Sequence, residues 1–127
     1  MRSIRLGLWM WVGSFLVSCT TPVIPEFSAK IPDDHRLSKE QVRSAIVIAM
    51  AEEGWQATEP TEGVFEAHKT AMMQEASVYV AYGYEGFSVE YADSINMQYN
   101  ADEDTISGTY KKWVYALYSS IQYQLHQ

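Results

Sequence analysis

Between Gln74 and Tyr91 apolar and polar residues alternate on both sides of a glycine-flanked break, the two-residue period of strands that bury one face of a sheet. Ala76, Val78, Val80 and Tyr82 fall on one side and Ser77, Tyr79 and Ala81 on the other. Gly83-Tyr84-Glu85-Gly86 then reads as a hairpin loop, after which Phe87, Val89 and Tyr91 point inward against Ser88 and Glu90. Upstream, Trp55 to Thr58 alternates as a first short strand, Glu59-Pro60-Thr61-Glu62-Gly63 is a turn, and Val64 to Thr70 forms a second strand with Phe65 and Ala67 inward and Glu66 and His68 outward. Downstream, Ile95 to Tyr99 offers a short extension or a further strand.

Helices are expected on both sides of this block. Ser38 with Gln41 three residues on forms a capping box, Leu37 and Val42 form a hydrophobic staple, and Gly54 ends a helix whose stripe is Val42, Ala45, Ile46, Ala49 and Met50. From Ser107 to Leu125, Tyr110, Trp113, Val114, Leu117, Ile121 and Leu125 make a second stripe, with Tyr115, Tyr118 and Tyr123 off it. The expected fold is α+β, a two-layer sandwich in which an antiparallel sheet of three or four strands carries its N- and C-terminal helices on one face.

The N-terminus constrains location. Arg2 and Arg5 precede an apolar run from Leu6 to Val17, too short for a membrane span, which needs roughly 20 residues. Leu16-Val17-Ser18 leads directly into Cys19, the only cysteine in the chain, in the order of a lipoprotein cleavage and acylation site. An ordinary signal peptide with an incidental cysteine, or an uncleaved anchor, is the alternative. Residues 1–18 are thus expected to be a lipoprotein signal peptide. Residues 19–36, with Pro22, Pro25 and Pro32, are read as the acylated Cys19 and its tether, and residues 37–127 as one domain. Two or three acyl chains on one residue anchor a protein stably without a transmembrane helix.

Removing residues 1–18 takes two of nine Lys+Arg and none of sixteen Asp+Glu, leaving a net charge of −9. That disfavours nucleic acid, whose phosphates require a basic surface. With Cys19 acylated, neither a disulfide nor a cysteine metal site remains.

In Gly54-Trp55, Gly63-Val64-Phe65-Glu66-Ala67, Val80-Ala81-Tyr82, the run from Phe87 to Tyr99, and Tyr110-Lys111-Lys112-Trp113, the domain resembles a group of short bacterial lipoproteins of uncharacterised function. Ser107 and Lys111 depart from it, standing where such proteins often have His and Asn. The resemblance implies a lipid anchor and an α+β domain, and no particular activity. With Thr20 after the cysteine in place of the Asp that marks inner-membrane retention, it implies the bacterial envelope, at the periplasmic face of the outer membrane.

Few residues point to chemistry. His35, His68 and His126 lack metal-ligand spacing, and Asp102-Glu103-Asp104 lacks the alternating ligands of a calcium loop, so no metal or other cofactor is expected. A hydrolase would have to use His68, yet no nucleophile elbow accompanies it. Asp93, Ser94 and Asn96 form a polar cluster read either as a loop closing a binding site or as groups satisfying local backbone. Tyr79, among Ser77, Ser88 and Glu90, marks a sheet face that is either a partner surface or merely the wet side of the sheet. The leading expectation is a non-enzymatic protein-binding or structural module. The alternatives are a small-ligand carrier, with a pocket lined by Trp55, Tyr82, Tyr91 and Trp113, and a hydrolase.

Overall fold

In the computed structural model, which describes residues 24–127, the first helix begins where its cap requires. Ser38 Oγ accepts from the Gln41 amide at 3.1 Å and Gln41 Oε1 accepts from the Ser38 amide at 2.8 Å, so α1 runs Lys39–Glu52. At its other end Gly54 takes φ +82°, the Gly54 amide donates to Ala51 O and the Trp55 amide to Met50 O. This paired closure consumes carbonyls that the helix leaves open and turns the chain back toward the sheet. The second helix, α2, spans Gly108–Leu125.

Five strands form one antiparallel sheet: β1 Phe27–Lys30, β2 Gln56–Thr61, β3 Val64–Ala71, β4 Gln74–Gly83 and β5 Gly86–Ile95, in the order β1-β5-β4-β3-β2. Phe65, Ala67, Val78, Val80, Phe87 and Val89 on the inner face pack against Val42, Ile46 and Ala49 of α1 and Tyr110, Val114, Leu117 and Ile121 of α2. Both helices therefore lie on one side of the sheet, in two layers. Among the described residues, no helix is long and apolar enough to cross a membrane.

Three expectations need correction. The sheet has five strands, not three or four, because Phe27–Lys30, placed in the tether by its flanking prolines, pairs with β5 from Phe27↔Val89 to Lys30↔Gly86. Phe27, Ala29 and Ile31 turn toward the core while Ser28 and Lys30 face out, a strand pattern too short to stand out between Pro25 and Pro32. Ile24, also read as tether, belongs to the core as well. Second, β2 runs on to Thr61 through Pro60, tolerated because β2 is an edge strand with a register shift between Thr58 and Thr61. Third, Asp93, Ser94 and Ile95 are strand, not loop, because a register shift opposite Ser77 and Val78 lets β5 continue to Ile95↔Glu75; no strand forms over Gln98 and Tyr99. The readings of Leu16, Val17, Ser18 and Cys19 lie outside the described residues.

Candidate functional site

Among the described residues the helices cover only one face of the sheet, and the pleat sends every second residue of β3, β4 and β5 to the other, open side. One cross-strand row there is Thr58, Glu66, Tyr79 and Glu90; the next is Gln56, His68, Ser77 and Asp93. Neighbouring strands are about 4.8 Å apart, so the Tyr79 side chain rises between two carboxylates, one on each flank. Tyr79 is 43% exposed. No lysine or arginine shares either row, so the face presents an aromatic ring within a negative surround.

His68 Nδ1 lies 2.8 Å from Ser77 Oγ, and Ser77 is the most covered polar residue of the face at 7% exposure. The pair does not form a nucleophilic relay. A relay places the histidine between serine and acid, whereas here the row order is His68, Ser77, Asp93 and the carboxylate stands on the far side of the serine. Asp93 Oδ1 instead accepts from the Ser94 amide at 2.8 Å.

The other polar residues of the expected cluster are also engaged locally. Ser94 Oγ lies 2.9 Å from the Tyr91 hydroxyl, and Asn96 Nδ2 donates to Met73 O at 2.8 Å, while Gln74 Nε2 donates back to Asn96 O at 3.2 Å. Asn96 thereby fastens the β3–β4 hairpin to the end of β5.

The four aromatics expected to line one pocket are dispersed. Trp55 is buried beside a cleft it shares with Arg43, Met50 and Phe65. Tyr82 stacks on Phe65 at 5.4 Å between centroids, and Tyr91 stacks on Tyr99 at 4.8 Å and meets Tyr110 edge-on. Trp113 lies under the Lys69 ammonium at 5.2 Å, which also donates to Glu53 O. Each aromatic serves its own junction between sheet and helix.

A cluster of perturbed titratable groups, unforeseen in the sequence, surrounds Glu59. Tyr82 Oη donates to Glu59 Oε2 at 2.5 Å, the Gly63 amide donates to the same oxygen at 3.0 Å, and Arg43 Nε donates to Oε1 at 2.9 Å. The tyrosine and amide hydrogen bonds, followed by the guanidinium, hold the carboxyl down at about 2. Burial, then the neighbouring carboxylate, pushes the Tyr82 hydroxyl up to about 12. With both acceptor oxygens occupied, Glu59 is a structural rivet joining α1, the β2–β3 turn and β4. The signal was a carboxylate just ahead of a turn glycine, but its partners are 16 and 23 residues away.

His35 and His126 stack at 5.7 Å between centroids, while His68 is engaged with Ser77 on the sheet. Among the described residues, no three His, Asp or Glu side chains are arranged to hold a metal ion. No family model, curated protein or solved structure matches this chain.

Proposed function

We propose that this chain is a lipid-anchored protein of the bacterial envelope, acylated at Cys19, whose small sandwich binds another envelope protein through the open face of its sheet. The observation that carries the reading is Tyr79, 43% exposed between Glu66 and Glu90 on a face that, among the described residues, no helix covers. Tyrosine supplies large contact area at low conformational cost, and a ring flanked by carboxylates suits a guanidinium or ammonium group lying over it. The partner surface is accordingly basic. This face is favoured over the sheet edges: β2 carries Pro60 and a register shift, and β1 pairs over only four residues, both of which discourage addition of another strand.

The anchor reading rests on Leu16-Val17-Ser18-Cys19 behind the basic and apolar leader. Thr20 after the cysteine, where an Asp would mark inner-membrane retention, supports the periplasmic face of the outer membrane, in line with the lipoprotein resemblance. Cys19→Ala should abolish labelling by palmitate and leave the leader uncleaved; normal processing of that variant would reject the anchor. For the face, a photocrosslinking residue at Tyr79 in intact envelopes should capture a discrete protein that the same residue at Tyr123 on α2 does not. Identical capture patterns from the two positions would remove the basis for a partner on this face.

A further inference from the structure

The turn joining β3 to β4 is Ala71-Met72-Met73-Gln74, with Met72 at φ +53° and Met73 at φ +66°. Positive φ at both central residues is the geometry of a tight hairpin that Asn-Gly fills with least strain, and two side chains with a Cβ sit there at some cost. Packing within the domain gives no return, because Met72 is 92% exposed and Met73 84%. Ile95, paired with Glu75 next to the turn, is 54% exposed at the same end of the sheet. The tip is also held in place: Asn96 ties Met73 O to the end of β5.

The route of the preceding chain shows what this end faces. β1 runs antiparallel to β5, from Phe27 opposite Val89 to Lys30 opposite Gly86, so the chain enters the sheet from the end that carries the methionines. Phe27 lies level with Val80, and six residues of β4, about 20 Å, separate that level from Gln74. Ile24 is tucked into the core, and Cys19 is five residues before it, a reach of at most ~17 Å. Adding the three residues from Phe27 back to Ile24, at most ~10 Å, brings Cys19 within reach of the plane of the turn.

We propose that the Met72-Met73 tip, with Ile95 beside it, is a second membrane contact that seats in the headgroup layer of the bilayer holding the acylated Cys19. The inference rests on the anchor reading given above. Flexible thioethers fit an irregular acyl boundary, and in the headgroup layer water still reaches the turn's own amides, so insertion is shallow. The domain then stands on two points, with its sheet upright and the Tyr79 face turned sideways to partners.

The test uses the full, acylated protein in protein-free vesicles of phosphatidylethanolamine and phosphatidylglycerol. Acylation leaves no other thiol, so Met73→Cys can carry an environment-sensitive fluorophore, with Glu85→Cys at the opposite end of the sheet as reference. The expected result is blue-shifted emission and severalfold weaker quenching by iodide at position 73, with a water-like signal at position 85. Equal, water-like signals at both positions in protein that floats with the vesicles would overturn the tip contact while leaving the anchor standing. A shift at position 73 that needs whole envelopes would assign the tip to a protein and equally overturn it. Protein that bears no acyl chain and fails to float would overturn the anchor, and the tip contact with it.

Discussion

Gly86→Ala isolates what holds β1 to the sheet. Gly86 has φ +154°, and a Cβ there would meet the carbonyl oxygen of Ala29 at 2.2 Å. Ordinary contact starts near 3.4 Å, so the β1 backbone must retreat by about 1.2 Å. A ladder bond of about 2.9 Å stretched by that amount exceeds 4 Å and no longer counts as a hydrogen bond. The bonds at Lys30↔Gly86 and the neighbouring Ile31 amide to Glu85 O, at 2.8 Å, are the ones at risk. At about 1 kcal/mol net for each of two or three bonds, the loss is about 2–3 kcal/mol. For a domain of this size that lowers the melting temperature by roughly 10–20 °C. Hydrogen exchange read by mass spectrometry should show residues 27–31 losing protection while β3 and β4 keep theirs. A melting temperature within about 2 °C of the parent, with residues 27–31 still protected, would refute the steric argument.

Further outcomes follow from other parts of the molecule. Because folding lowers the Glu59 carboxyl to about 2, its contribution is complete above its unfolded value near 4.5 and disappears as pH falls from there through about 2; Glu59→Gln should remove that limb from a stability–pH curve. Folding raises the Tyr82 hydroxyl to about 12, so its contribution holds below pH 10 and is lost between 10 and 12, a loss that Tyr82→Phe should not show. Replacing the tip by Met72→Asn with Met73→Gly should raise stability by about 1 kcal/mol in denaturant unfolding, since Asn-Gly fits the turn with less strain. Ile46→Ala, at a fully buried position of α1, should cost about 2–5 kcal/mol in the same assay.

Where the physics is local, the sequence is a good guide. The Ser38 and Gln41 cap, the Gly54 stop and the alternation from Ala76 to Glu90 each involve residues within a few positions of one another, and the structure has them as read. What stayed hidden depends on distant partners. β1 is four residues between prolines, and its place is supported by Phe27 stacking on Tyr118 at 5.1 Å and meeting Tyr115 edge-on at 5.9 Å. In the sequence those tyrosines stand out only as lying off the α2 stripe. The Glu59 rivet likewise needs Arg43 and Tyr82 from two other elements. The Met72-Met73 turn was legible only as a gap between strands, because two methionines are not the residues expected at paired positive φ. On the candidate face, alternation marked Tyr79 as outward, but its place between Glu66 and Glu90 required the strand register.

The orientation of β1 also sets how the molecule answers tension. If the domain is tugged away from a bilayer that holds Cys19, force enters at Ile24 and runs along the axis of β1, parallel to β5. Such a pull loads the rungs between the two strands together, in shear, instead of peeling them open one after another. The stacking of Phe27 on Tyr118 adds a side-chain latch against the same sliding motion. Under such a load a short edge strand would act as a mechanical clamp, and the seam between β1 and β5 would be the first to resist.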